Sequence, residues 1–146
     1  MSNILVQNIK HTNNTSAQTI DTSGRTTVSI MNNDSTNRSD GGAVTQNLVQ
    51  GLCKCWCGWN ASSGTPTIED SLNVASLSDT NTGDVQVNFT NSMSNDDYAV
   101  PAASAANSIT SVDDRATGNV RARSITSFTS YADLGVVMIA THGDLA

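Results

Sequence analysis

An alternating run near the middle of the chain constrains the fold more than any other feature. Across residues 84–90, the apolar Val85, Val87 and Phe89 alternate with polar residues. A repeat of two is typical of a β-strand, because successive side chains leave opposite faces of a sheet. We therefore predict a half-buried strand whose core-facing side chains are these three.

The residues before this strand predict that it is the second half of a hairpin. Residues 71–77 form another β-rich run, and residues 78–83 between the two runs are rich in Asp, Asn, Thr and Gly. Asp and Asn can bond their own backbone, and Gly permits positive φ, so residues 78–83 are expected to be the hairpin loop. Leu77 is out of phase with Val74, which predicts a bulge or a strand end near Ser76.

Composition extends the β prediction to the whole chain. Asn, Ser and Thr make up 53 of 146 residues, whereas Glu occurs only at Glu69 and Lys only at Lys10 and Lys54. Residues that favour exposed helices are therefore nearly missing, and Asn and Ser favour turns while Thr favours strands. We predict an all-β chain with about seven short strands, arranged as a small antiparallel β-sandwich or jelly-roll-like domain. Beyond the hairpin and a strand through residues 52–59, strands are expected at residues 98–100, 108–112, 120–128 and 134–141. Turns are expected at residues 91–97, 102–107, 113–118 and 129–133.

The first fifty residues differ from the rest, which predicts two regions, residues 1–50 and 51–146. Residues 1–50 contain no aromatic side chain and few apolar ones. Ordering the backbone costs roughly 1–2 kcal/mol per residue, which so few apolar groups cannot offset by forming their own core. This region is expected to be an extended arm that is either disordered or ordered by other chains.

Three cysteines alternate along the strand that precedes the hairpin. Cys53, Cys55 and Cys57 share one face, and residues two apart on a strand lie roughly 6.5–7 Å apart at the backbone, the outer limit for a disulfide. The only histidines, His11 and His142, are distant in sequence, so no zinc site is predicted. We interpret the cysteines as small buried side chains; contact between cysteines of different subunits is the alternative.

Two tryptophans lie on the same strand. A pair three residues apart on a strand divides between the core and the surface more often than it shares one face. We assign Trp56 to the core together with the hairpin residues, and Trp59 to a contact with glycans, since an exposed indole can stack on a sugar ring.

Charge and motifs exclude several classes of protein. The net charge is −6 and the pI is about 4.4, which argues against nucleic-acid binding. No run approaches the roughly 18 apolar residues of a membrane span, and residues 1–10 do not read as a signal peptide, so we expect a protein made in a cytoplasm and not inserted into a membrane. The sequence has no nucleophile elbow, no paired Glu and no glycine-rich phosphate loop, so no enzyme activity and no cofactor are predicted.

Several motifs, in order, resemble a domain common in the fibres of tailed phages. The matching pieces are Lys54-Cys55-Trp56, residues 71–74 (Ser-Leu-Asn-Val), residues 82–90 (Thr-Gly-Asp-Val-Gln-Val-Asn-Phe-Thr), Tyr98-Ala99-Val100 and residues 136–143. Residues 4–9 and 18–24 also resemble the leader of many marine-phage fibre proteins. The three cysteines depart from that pattern, which has small or β-branched residues in their place.

The resemblance implies a non-enzymatic virion protein: a short homotrimeric fibre or spike on the tail or capsid, assembled in the host cytoplasm. It would contact capsid or tail proteins and extend to glycans of the host surface. The apolar residues of the leader are then expected to anchor the chain to the particle: Ile4, Leu5, Val6, Ile9 and Ile20. The alternatives are a capsid decoration (cement) protein and, from another class, a soluble lectin or a carbohydrate-processing enzyme.

Overall fold

The computed structural model describes residues 8–10, 16–28, 35–38, 45–105, 107–126 and 130–146. The chain divides into two compact units, Met1–Val49 and Gln50–Ala146. Within the described ranges, nearly all regular structure is β-strand, and every strand pair is antiparallel. The prediction of an all-β chain is confirmed, whereas the extended arm and the trimer remain predictions.

The described residues of the first unit form two small sheets. Its strands are β1 (Asn8–Lys10), β2 (Ser16–Ile20), β3 (Thr26–Val28), β4 (Thr36–Arg38) and β5 (Thr45–Asn47). The short helix α1 (Leu48–Gly51) follows and contains the boundary between the units. β1, β2 and β3 form one sheet in that order, and β4 pairs with β5. Short ribbons of two or three strands need an apolar face packed on another element to be stable.

An Asx-type turn joins β2 to β3. The Asp21 carboxylate accepts backbone N–H groups of Arg25 and Ser23 at 2.9 and 2.8 Å, and it pairs with the Arg25 guanidinium at 2.8 Å. These bonds, that of the Arg25 backbone foremost, lower the pKa of Asp21. Gly24 completes the turn with a φ of 78°. The turn is therefore set by local bonds and owes little to burial.

The second unit is a β-sandwich of two sheets. Its strands are β6 (Cys53–Asn60), β7 (Thr67–Leu72), β8 (Val74–Asn81), β9 (Asp84–Phe89), β10 (Ala102–Ser104), β11 (Ser108–Ala116), β12 (Asn119–Thr126), β13 (Ser130–Tyr131) and β14 (Val137–His142). One sheet has the order β10-β14-β6-β7, and the other has the order β11-β12-β9-β8, with β13 also paired to β12. Side chains of both sheets meet in one apolar core.

Alternation along four strands builds that core. The buried apolar residues on these strands are Cys55, Cys57, Trp59, Val85, Val87, Phe89, Val120, Ala122, Val137 and Ile139. Ala61, Met93 and Tyr98 add to them from connecting segments. Val85, Val87 and Phe89 lie in the core as predicted. Removing these side chains from water is the main favourable term in folding, at about 25 cal/mol per Å² of apolar area.

The predicted hairpin is present as an antiparallel pair of strands, but its loop and its first residues differ from the prediction. β8 and β9 pair with an irregularity between Val74 and Ser76, where the phase shift predicted one. The loop is shorter than the expected residues 78–83, because β8 continues to Asn81 and only Thr82 and Gly83 separate the strands. Residues 71 and 72 are not part of this hairpin but end β7 in the opposite sheet.

Other element boundaries also differ from the prediction. Residues 102–104, expected in a turn, form the edge strand β10. β11 continues to Ala116, so the expected turn at residues 113–118 narrows to residues 117 and 118. The expected strand at residues 98–100 is only a single bridge between Ala99 and His142. The described residues of the second unit thus form nine strands, where about seven were expected.

Candidate functional site

A shallow, mostly apolar groove lies on the outer face of the β10-β14-β6-β7 sheet. Because Cys55, Cys57 and Trp59 point into the core, Trp56 and Gly58 lie on the opposite, outward face of β6. The groove has a volume of about 480 Å³. This volume lies within the roughly 300–1,000 Å³ that small-molecule sites occupy.

Strand register determines which side chains border the groove. Gly58 lies between Met138 of β14 and Asp70 of β7, and the next row places Trp56 between Ala140 and Leu72. Pro101 and Ala103, before and within β10, line the groove beyond β14. The lining is therefore mostly apolar, with Glu69 and Asp70 contributing carboxylates from β7.

Gly58 forms the floor of the groove. A Cβ added there would meet a single neighbouring atom within 4 Å, the backbone oxygen of Asp70, at 4.0 Å. A Cβ at this position would therefore enter the groove in ordinary van der Waals contact. The flanking Met138 side chain is 48% exposed, so the wall opposite Asp70 is accessible to a ligand.

The structure reverses the expected roles of the two tryptophans. Trp59 is 1% exposed and lies in the core, so the predicted glycan contact at Trp59 is wrong. Trp56 is only partly buried and lines the outer groove, so its assignment to the core is also wrong. The physical reason is the alternation of β6, which places every second residue from Cys55 to Trp59 on the core face. Extending the cysteine pattern by one step would have identified this arrangement.

Two of the three cysteines, Cys55 and Cys57, are small buried side chains as predicted, whereas Cys53 is only half-buried. All three are free, and Cys55 and Cys57 are fully buried. Burial raises the pKa of the Cys55 thiol to about 12 and that of Cys57 to about 11, since a thiolate is poorly solvated in the core. Cys53 is half-buried and donates its thiol proton to the backbone oxygen of Cys55 at 3.0 Å. Protonated, buried thiols are unreactive, which makes them packing groups.

Two arginines and two aspartates form a charge cluster on the outer face of the other sheet. Asp84 is 6% exposed, and its Oδ2 atom accepts the Arg123 Nε–H at 3.2 Å while its Oδ1 lies 3.4 Å from Arg121 Nε. Asp113 pairs with both guanidinium groups. Hydrogen bonds to the carboxylates, Asp113 for Arg121 and Asp84 for Arg123, raise the pKa of both arginines. Two positive and two negative charges cancel, so this basic segment is a mixed face and not a phosphate site.

A small pocket and an open acidic groove flank that cluster. The pocket, of about 110 Å³, is lined by Asp84, Arg123 and Tyr131 together with Asn81 and Thr82. The Arg123 guanidinium lies 5.6 Å from the centre of the Tyr131 ring. The two charged groups of this pocket, Asp84 and Arg123, are therefore already paired with each other.

The acidic groove lies beside β11 and is lined by Asp96, Asp113 and Asp114. Its cation, Arg115, donates to the backbone oxygen of Tyr98 at 2.7 Å and lies 6.0 Å above the Tyr98 ring. Arg115 thus holds the Tyr98 segment against β11. In the residues that the structure describes, no group of three His, Cys, Asp or Glu side chains is arranged to hold a metal ion.

The predicted anchoring residues are only partly covered by the structure. Ile4, Leu5 and Val6 lie outside the described residues. Ile9 lies in β1 opposite Gln18, and Ile20 is a half-buried residue at the end of β2. The anchoring role of these five residues remains a prediction.

Comparisons complete the description of the site. In the described ranges, no helix is long and apolar enough to cross a membrane. Comparison with protein-family models, with curated proteins and with solved structures finds no match to this chain.

Proposed function

We propose that the chain is a non-enzymatic structural protein of a tailed-phage particle. In this proposal it forms a short homotrimeric fibre or spike, anchored to the tail or capsid through residues 1–49, and its β-sandwich contacts the host surface. The ordered motifs from Lys54 to Gly143 support the proposal, as does their arrangement in one all-β sandwich.

The observation that carries the proposal is the difference in burial between the two units. Every fully buried residue among the described ones lies between Lys54 and Thr141. Side chains described in the first unit, at residues 20–27, 35–36 and 46–49, are all half-buried or exposed. The described side chains of these two small sheets bury too little apolar surface to offset the entropy of ordering the backbone. Contacts with other chains would supply the missing burial.

Identical copies are the most economical source of those contacts. Closed symmetry gives each copy the same environment, and three chains winding together would pair the open edges of short strands such as β1 and β3. Ile20 at the end of β2, only half-buried in the single chain, would be covered in such an assembly. An anchor built this way leaves the sandwich free to contact a partner.

Immunogold electron microscopy of the particles of the phage that encodes this chain tests the proposal. We expect gold label at discrete projections of the tail or of the capsid vertices. A uniform label over the capsid surface would contradict the fibre and support the decoration protein. Particles without label, in preparations where a known capsid protein is labelled, would contradict both.

A further inference from the structure

We propose that the outer groove beside Trp56 binds an uncharged glycan, with a sugar ring stacked on the indole of Trp56. This inference rests on the proposed function, because it names the class of host-surface molecule that the sandwich would contact. It differs from the sequence prediction in the tryptophan and in the face of β6 that contacts the glycan, and it adds the charge class of the ligand.

The shape of the groove fits a flat, rigid ligand. Gly58 removes a side chain from the centre of the floor, between Met138 and Asp70, while Trp56 stands beside it on the same face of β6. The result is a trough with an aromatic wall, open along its length to solvent. A pyranose ring has apolar C–H faces that stack on such a wall while its hydroxyl groups remain at the edge.

The polar groups at the edge suit hydroxyl donors. Glu69 and Asp70 are exposed residues of the edge strand β7 that border the groove, and Asp70 lies directly opposite Gly58. Ionised carboxylates are acceptors with several free lone pairs, so they can accept hydrogen bonds from sugar hydroxyl groups. One Asp70 oxygen already accepts the backbone N–H of Ser71 at 2.8 Å, which orients the carboxylate and leaves further acceptor sites available.

Charge decides the class of glycan. The residues that line the groove include two acids and neither Lys nor Arg, and the chain as a whole carries a net charge of −6. A sialic acid, a uronic acid or a phosphorylated sugar would be repelled by Glu69 and Asp70. A second copy of the chain is disfavoured for the same reason, since a two-fold contact across this face would bring four carboxylates together. A neutral hexose or N-acetylhexosamine avoids both costs.

A glycan array probed with the full-length chain tests the inference. The array carries neutral glycans ending in mannose, galactose, glucose or N-acetylglucosamine, and acidic glycans ending in sialic or glucuronic acid. We expect binding confined to neutral glycans. Binding confined to acidic glycans, or no binding to any neutral glycan, overturns the inference.

Two variants with a matched control locate the binding in the groove. Trp56→Ala removes the stacking surface, and Gly58→Val fills the floor with a residue that strands accommodate; each should weaken binding about tenfold or more. Ser111→Val adds the same side chain at an exposed position of β11 in the opposite sheet and should leave binding unchanged. Trp56→Phe keeps an aromatic face and should retain most of the affinity.

The outcome separates this inference from the proposed function. If neither Trp56→Ala nor Gly58→Val changes glycan binding, the inference that glycans bind in this groove is overturned. Native mass is measured on the same samples by sedimentation. A trimer that binds no neutral glycan refutes only the groove, whereas a monomer that binds one through Trp56 refutes only the trimeric fibre. A mass that falls in Trp56→Ala would mean that a second copy covers this face, and it too overturns the inference.

Discussion

The Asn73 side chain bonds both the backbone and the side chain of Asn91. The Asn73 Oδ1 atom accepts the backbone N–H of Asn91 at 2.8 Å and its Nδ2–H at 3.0 Å, and Asn73 Nδ2 donates to the Asn91 backbone oxygen at 3.0 Å. Asn73 has a φ of 59°, in the left-handed region. It is the single residue between β7 and β8, so this contact fixes the point where the chain passes from one sheet to the other.

Replacing Asn73 should separate the contributions that its hydrogen bonds and its positive φ make to the free energy of unfolding. Asn73→Ala loses the hydrogen bonds and places a Cβ-bearing residue without polar compensation at positive φ, so we expect the free energy of unfolding to fall by about 2–3 kcal/mol. Asn73→Gly adopts positive φ without strain and loses only the side-chain hydrogen bonds, which should cost about 1 kcal/mol of unfolding free energy. Urea denaturation measures both. Asn107→Gly, at an exposed position with a φ of 64°, is the control and should change stability by less than about 0.5 kcal/mol. Equal losses in Asn73→Ala and Asn73→Gly would show that φ is unimportant here.

The two tryptophans should differ sharply in solution. Acrylamide should quench the fluorescence of Trp59→Phe, which retains the partly exposed Trp56, much more strongly than that of Trp56→Phe, which retains the buried Trp59. Truncation should follow the same order, with Trp59→Ala costing about 3–5 kcal/mol of unfolding free energy and Trp56→Ala about 1 kcal/mol or less. Equal quenching of the two single-tryptophan proteins would contradict the outward face assigned to Trp56.

Gly83 should tolerate no side chain. A Cβ there would lie 2.6 Å from the backbone oxygen of Ser124 and 2.7 Å from the backbone nitrogen of Ala132, at a φ of 67°. The Gly83 N–H donates to Asp133 at 2.7 Å, so the turn cannot move away freely. Gly83→Ala should therefore cost about 3 kcal/mol or more in unfolding free energy.

Gly64 provides the matched control for that substitution. It has a φ of 84°, yet an added Cβ would meet nothing within 4 Å. Gly64→Ala should cost only the backbone strain, about 1 kcal/mol. The difference between the two variants, measured by urea denaturation, gives the cost of the steric clash. Losses of the same size would mean that the hairpin turn can move away from β12.

Stability should decrease at alkaline pH because of the buried thiols and Tyr98. Burial raises the pKa of Cys55 to about 12, of Cys57 to about 11 and of Tyr98 to about 12. Above about pH 9 the unfolded chain releases these protons while the folded chain keeps them, so the unfolded state is increasingly favoured as pH rises. We expect the urea midpoint to be level from pH 7 to 8.5 and to fall from there toward pH 11.

A cysteine variant tests whether the Cys55 thiol contributes to the loss of stability at alkaline pH. Cys55→Val preserves a small apolar side chain on the core face of β6 and removes one ionisable group. Its urea midpoint should fall less between pH 8.5 and 11 than that of the parent chain. Identical profiles for the parent and Cys55→Val would contradict a burial-raised pKa at this position.

The sequence predicted what depends on local alternation. Val85, Val87 and Phe89 were placed correctly because a period of two is visible within one strand, and the irregularity near Ser76 was visible as a phase shift. The same rule applied to β6 would have placed Trp59 in the core. The spacing of three between Trp56 and Trp59 instead suggested that one lies in the core and one on the surface, without indicating which.

What the sequence could not show depends on partners across strands. Gly58 forms a groove only because register places Met138 and Asp70 on either side of it, and nothing in the strand itself reveals that neighbourhood. The change of sheet at Asn73 was missed because Asn is common in this chain and most of its copies do not have positive φ. The edge strand β10 was not predicted because its residues, Ala-Ala-Ser, are small and lack the alternation of apolar and polar side chains.

Sedimentation equilibrium of the purified full-length chain tests whether identical copies order residues 1–49. We expect a single species of three times the 15.3 kDa of one chain, unchanged on dilution through the micromolar range. A stable 15.3 kDa monomer whose residues 1–49 are protected from hydrogen exchange would contradict the trimeric anchor.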